Sequence, residues 1–272
     1  MLGKLIKHEW KGTYRMGCLM LGAMAVVTFL GWLSFQAPVW KSMNGGSQAS
    51  FGWLDIFSMF TVMIYAMLLV CVTFGIKVYL GVRFYRTMYT DEGYLTHTLP
   101  ATKNQILASK ILVSGLWTLF ILLSVYLSLF LLVCSMVWTV VPEGYLPADF
   151  FSAVWEMMGE LESVFGFSAS HFVGIWIIAS VVGAFTSNAI LFGAISLGQL
   201  VSRARLFMGI LYYILILVAE QMLVSLFRSF ATNNIGIYLN INTDIRFLID
   251  LLTAAALYGA MYFITSRKLN LA

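Results

Sequence analysis

The sequence predicts an all-α fold: a polytopic membrane protein with six transmembrane helices, a basic N-terminal helix and a polar elbow between the second and third spans. Three observations carry this. Hydrophobic residues make up 61% of the 272 and charged residues only 10%, whereas a soluble domain is about one-quarter charged. Apolar runs long enough to cross a ~30 Å hydrocarbon core as helices recur along the chain. The four prolines, Pro38, Pro100, Pro142 and Pro147, all fall in the connections, so none interrupts the internal backbone hydrogen bonding that lipid demands of a span.

Residues 1–15 open the chain. Leu2, Ile6, Trp10 and Tyr14 recur at i, i+4 spacing, with Lys4, Lys7, Lys11 and Arg15 mostly opposite. That pattern predicts an interfacial helix with its lysines toward anionic lipid headgroups; a basic tail that only fixes topology is the plainer reading. The first span follows at 16–35. It is too long for a signal peptide and lacks a small-residue cleavage site. A Gly- and Ser-rich link joins it to the second span, 54–82. The helical pattern continues past Val82 through Phe84, Tyr85 and Met88. A helix to Thr90 would be ~55 Å long at 1.5 Å per residue, well beyond the hydrocarbon.

Residues 83–110 form the elbow. Pro100 stops a continuous helix and restricts Leu99 before it. Thr102 and Gln105 have capping-box spacing, so a new helix is expected to start there. Lys110 marks its arrival at the membrane and the third span covers 111–141. The next connection interleaves acids between Glu143 and Glu162 with Phe150, Phe151, Val154, Trp155, Met158 and Leu161. That is an amphipathic helix, expected to pack against the span ends. The last three spans are 172–200, 207–227 and 247–266. Gly183/Ser187, Ala189/Gly193 and Ala255/Gly259 are small-x-x-x-small pairs that let helices approach closely in lipid.

Charge sets the expected orientation. With the N-terminus inside, thirteen of the 16 basic residues face the cytoplasm and only Lys41, Arg228 and Arg246 lie outside. This is a positive-inside bias, so both termini are expected in the cytoplasm of a cell-membrane protein. The net charge of +4 then needs no nucleic-acid partner. Cys18, Cys71 and Cys134 each lie in a span and read as small buried apolar residues. His8, His97 and His171 are isolated, and no metal site is expected.

Glu220, with Gln221 beside it, is the only carboxylate deep in an apolar run. Burying such a charge costs at least ~2.5–3.5 kcal/mol unless it is paired, protonated or hydrated. The two could line a pathway for substrate or a coupled proton. Alternatively Glu220 hydrogen-bonds a neighbour near the helix end, and this reading is preferred.

The elbow resembles a family pattern. In the permease subunits of ABC-2 type transporters, E-x-x-G-T-x-x-x-L-x-x-x-P-V-S-R lies between the second and third spans, followed by an apolar residue and G-K. Glu92, Gly93, Leu95, Thr98, Leu99, Pro100, Thr102, Lys103, Ile106 and Lys110 fall in a shortened version similar to that of bacterial drug- and bacteriocin-export permeases. The spacing from Glu92 to Pro100 is compressed, and Ser109 stands where the pattern has Gly. The resemblance implies that the elbow is a coupling helix seated in a separate ATP-binding subunit. Tyr94, Leu95, Leu99 and Pro100 would supply the contact, with Asp91, Glu92 and Lys103 as its polar rim. It further implies a second permease copy or paralogue, ATP and magnesium on the partner, and a re-entrant stretch between the last two spans. No cofactor is expected on this chain. No G-x-x-x-x-G-K-[ST] phosphate loop occurs, so the chain is expected to be a transport subunit and not an enzyme. The competing expectation is an ion-coupled secondary transporter or channel using Glu220.

Overall fold

A computed structural model describes residues 2–35, 53–98, 100–140, 147–165, 169–201, 204–235 and 239–267. The described residues are helical apart from short turns. The helices are α1 (Leu2–Phe35), α2 (Trp53–Tyr89), α3 (Asp91–Thr98), α4 (Lys103–Val140), α5 (Pro147–Phe165), α6 (Ala169–Gly198), α7 (Arg205–Ile235) and α8 (Leu239–Arg267). Six of them, all but α3 and α5, are long and apolar enough to cross a membrane. The chain is a multi-pass helical membrane protein.

Helix α1 differs from expectation in one respect. The interfacial segment 1–15 and the span from residue 16 form one helix with no break in it. Its inward face is Leu2, Leu5, Ile6, Glu9, Trp10, Thr13 and Gly17, while Lys4, Lys7, Lys11 and Arg15 are exposed. Tyr14, expected on the apolar face, is 42% exposed. Helix α2 runs 37 residues without interruption, as its pattern predicts. The restart at α4 is capped as foreseen. The Gln105 N–H points to Thr102 Oγ1, and the Thr102 N–H to Gln105 Oε1, each at 3.4 Å.

By internal contacts the chain divides into two compact units. One comprises Met1–Thr13, Lys77–Leu119 and Leu161–Ala272; the other Tyr14–Ile76 and Phe120–Glu160. Helices α1, α2, α4 and α5 contribute a part to each. In the first unit α6 packs along both α7 and α8. Ala189, Ile190 and Ala254 form a buried cluster against Ile111, Tyr213, Ile216 and Leu257. Among the small-residue pairs, Ala189/Gly193 is the one used for close approach. A Cβ at Gly193 would stand 2.7 Å from Leu257 Cβ, whereas Gly183 and Gly259 face open space. At the α6–α7 turn a Cβ at Gly198 would meet the Gly209 nitrogen at 2.5 Å. Only glycine allows that backbone approach. In lipid such packing works through van der Waals contact, since the tails are as apolar as the side chains.

In the second unit Val27, Phe35, Tyr65 and Leu132 form the buried cluster. Phe57, Phe60, Met63, Met67 and Phe74 on α2 are more than 60% exposed, as suits side chains that meet acyl chains. The cysteines correct the expectation of burial: all three are exposed. A small apolar thiol is as well accommodated by lipid as by a core. Phe151 of α5 lies against Phe130, ring centres 6.3 Å apart, but Val154, Trp155 and Met157 remain exposed. Between α7 and α8 both helices extend beyond their spans to Ile235 and from Leu239, and residues 236–238 lie outside the described residues. The link 36–52 also lies outside them.

Candidate functional site: the elbow and the charges beneath it

Helix α3 is eight residues long, DEGYLTHT. Asp91 and Glu92 occupy its first turn, where carboxylates complement the exposed N–H groups. The Gly93 N–H donates to Thr90 O at 2.7 Å, and a Cβ there would lie 2.5 Å from Met88 O. Because the clashing atom is backbone, the sharp passage from α2 into α3 requires glycine at 93. The Thr96 hydroxyl donates back to Thr87 O at 3.0 Å, tying α3 to α2. Arg86 pairs with Glu92 at 3.0 Å, but both side chains are more than half exposed, so the pair contributes ~1 kcal/mol or less.

The tip presents what the sequence predicted in part. Tyr94 and Leu95 are 63% and 70% exposed, and Asp91, Glu92 and Pro100 are exposed around them. Leu99 lies outside the described residues. Lys103 has a partner within the chain. Its Nζ donates to Thr265 O at 2.7 Å in the last turn of α8, a favourable place for a cation. It ties the start of α4 to the end of α8.

Below the tip the packing tightens. Met88 is fully buried. Phe84 stacks on Phe192 of α6 with ring centres 4.2 Å apart and planes within 7°. The Tyr89 hydroxyl donates to Ser196 at 2.7 Å. One turn further down lies a charged cluster. Lys110 Nζ is 2.5 Å from Glu9 Oε1, and Arg83 Nη2 is 3.3 Å from Glu9 Oε2. Lys110 also donates to Thr87 Oγ1 at 2.7 Å, and Arg83 Nη1 to Gly12 O at 2.8 Å. Beside them Trp10 stacks on Trp117 at 4.9 Å. One carboxylate on α1 thus holds a cation from the helix leading into the elbow and another from the helix leading out. Two positive charges face one negative.

Glu9 was missed in the sequence reading, which singled out only the basic residues and the apolar positions of this segment. The signal was present: Glu9 falls at i+3 and i+4 from Ile6 and Leu5, on the apolar side. A carboxylate there needs a cation from elsewhere in the chain.

Glu220 sits apart from this cluster. It is buried at 8% exposure and accepts a hydrogen bond from the Thr253 hydroxyl of α8. That geometry matches the hydrogen-bonded reading. Gln221 is exposed. Among the described residues no group of three His, Cys, Asp or Glu side chains could hold a metal ion.

Comparison with protein-family models, with curated proteins and with solved structures finds no match to this chain. Geometry and residue chemistry therefore carry the functional reading.

Proposed function

We propose that this chain is the membrane-spanning permease subunit of an ATP-driven exporter of the ABC-2 type. In this reading it lies in the cell membrane with both termini cytoplasmic, and forms the pathway with a second copy or a paralogue. ATP and magnesium are bound by a separate ATP-binding subunit, and nucleic acid has no part. The observation that carries the reading is the elbow. Helix α2 spans 37 residues, ~55 Å at 1.5 Å per residue against a hydrocarbon core of ~30 Å. The excess holds Tyr94 and Leu95 out in water on a short helix whose base is fixed by Gly93, Met88 and the Phe84–Phe192 stack. Two large apolar side chains ringed by carboxylates, on a rigid mount, have the anatomy of an interface core with a polar rim. A solvated loop needs neither the apolar tip nor the mount.

The competing reading, an ion-coupled transporter built on Glu220, has its carboxylate engaged by Thr253 and Gln221 exposed beside it. The test is replacement of Tyr94 and Leu95 together by Ser. The double variant is expected to insert normally, to lose co-purification of the ATPase subunit and to stop transporting. Retention of the ATPase at wild-type yield would reduce the elbow to a loop.

A further inference from the structure

Helix α5 joins two spans on the membrane face opposite the elbow, because α4 starts at the elbow and crosses before α5 begins. Its 19 residues make a rod ~28 Å long at 1.5 Å per residue. Only residues 141–146 connect it to α4, and only residues 166–168 to α6. Links of that length, at no more than ~3.6 Å per residue, hold both ends of α5 near the ends of spans. The helix therefore runs along the membrane surface.

Phe151, Val154, Trp155 and Met158 fall at i, i+3, i+4 and i+7, one stripe of the helix. Ser152, Glu156, Gly159 and Glu160 lie on the other side and are exposed. A stripe turned to a protein core would be buried. Here Trp155 is 73% exposed, Phe151 and Val154 are exposed with it, and Met158 is half-buried. The Phe151 ring lies against that of Phe130. Phe130 belongs to the apolar span of α4 and is itself half exposed. The stripe thus continues a surface that meets acyl chains, and it begins at the depth of a span residue.

We propose that α5 lies in the membrane–water boundary, with Phe151, Val154, Trp155 and Met158 set into the edge of the acyl layer and Glu156 and Glu160 in water. Its partner is a lipid surface, and the charge pattern says which kind. Helix α5 carries Asp149, Glu156, Glu160 and Glu162 and no basic residue. Helices that bind anionic lipid are rich in Lys and Arg. This one is held by its apolar stripe, with an indole at the level Trp favours, and suits zwitterionic headgroups. The proposal is independent of what the elbow binds.

The test uses the full chain, cysteine-free apart from one substitution: Val154→Cys, Glu156→Cys, Met158→Cys or Glu160→Cys. Each is labelled with a polarity-sensitive fluorophore and reconstituted in phosphatidylcholine vesicles. Two quenchers are compared: a phosphatidylcholine spin-labelled near the top of its acyl chain, and iodide on both sides of the bilayer. Labels at 154 and 158 are expected to emit blue-shifted light and to be quenched several-fold more by the lipid than labels at 156 and 160. Iodide should quench the latter two instead. Trp155→Glu should move the 154 label into the iodide-quenched class. Replacing part of the lipid by phosphatidylglycerol at low salt should weaken lipid quenching at 158, and added salt should restore it. All four labels open to iodide and insensitive to the lipid would overturn the proposal. So would labels at 154 and 158 shielded from both quenchers, which would give the stripe to a protein surface. Stronger lipid quenching with phosphatidylglycerol would overturn the choice of zwitterionic lipid.

Discussion

Glu9→Gln removes one charge and keeps the size and shape of the side chain. Its cost follows from where the charge sits. Lys110 and Glu9 are 4% and 15% exposed, and Arg83 22%, so the cluster belongs to the buried class of ion pairs. Breaking such a pair costs ~3–5 kcal/mol, because the partner is left as an uncompensated charge. Here two partners are left, both positive. Lys110→Met is gentler, since Glu9 keeps Arg83 at 3.3 Å; ~3 kcal/mol is expected, the lower end of that class. The double variant Glu9→Lys with Lys110→Glu restores an opposite-charge pair on the same two helices and should recover a substantial part of the loss. The assay is unfolding of the detergent-solubilised protein by SDS titration, followed by the loss of helical signal. A Glu9→Gln protein within ~1 kcal/mol of wild type would place the cluster in the surface regime and refute the argument. So would Lys110→Met proving the more damaging change.

Further outcomes follow from the same geometry. Gly93→Ala sets a Cβ against Met88 O at 2.5 Å; a strain of ~1–3 kcal/mol should tilt α3 and weaken ATPase co-purification without reducing membrane insertion. Glu220→Gln should keep most transport, because the amide still accepts from Thr253; loss of transport with normal assembly would move Glu220 into the pathway. In a cysteine-free background, cysteine at Glu160 should react with an impermeant thiol reagent outside intact cells and cysteine at Thr102 should not. Outside labelling at Thr102 would reverse the orientation and end the case for a cytoplasmic partner.

Local signals were the legible ones. The overlong α2, the stop at Pro100 and the Thr102–Gln105 cap each depend on residues within a few turns of one another. The structure reproduces them because backbone hydrogen bonding inside a helix is decided over that range. What eluded sequence reasoning depends on pairing across distance. Glu9 is meaningful only once Arg83 and Lys110 stand beside it, and no periodicity in α1 names them. The bonds from Lys103 to the carbonyls of Thr265 and Ser266 were not legible, because those residues lie at the far end of the chain. Gly193 and Gly259 carry the same small-residue signal, yet only the first is pressed against another helix. Helix rotation about its own axis makes that choice. The cysteines misled for a different reason. In a membrane protein, apolar residues satisfy both the core and the lipid face, so composition cannot assign a side.

The central claim is that the elbow is gripped by an ATP-hydrolysing partner. The most direct measurement is purification of this chain from its native membrane in mild detergent, with the recovered complex assayed for bound subunits and ATP hydrolysis. The account predicts a stoichiometric soluble-type ATPase subunit, with hydrolysis that disappears when Tyr94 and Leu95 are replaced by Ser. A chain recovered alone that drives transport in liposomes from a pH gradient, without ATP, would contradict it.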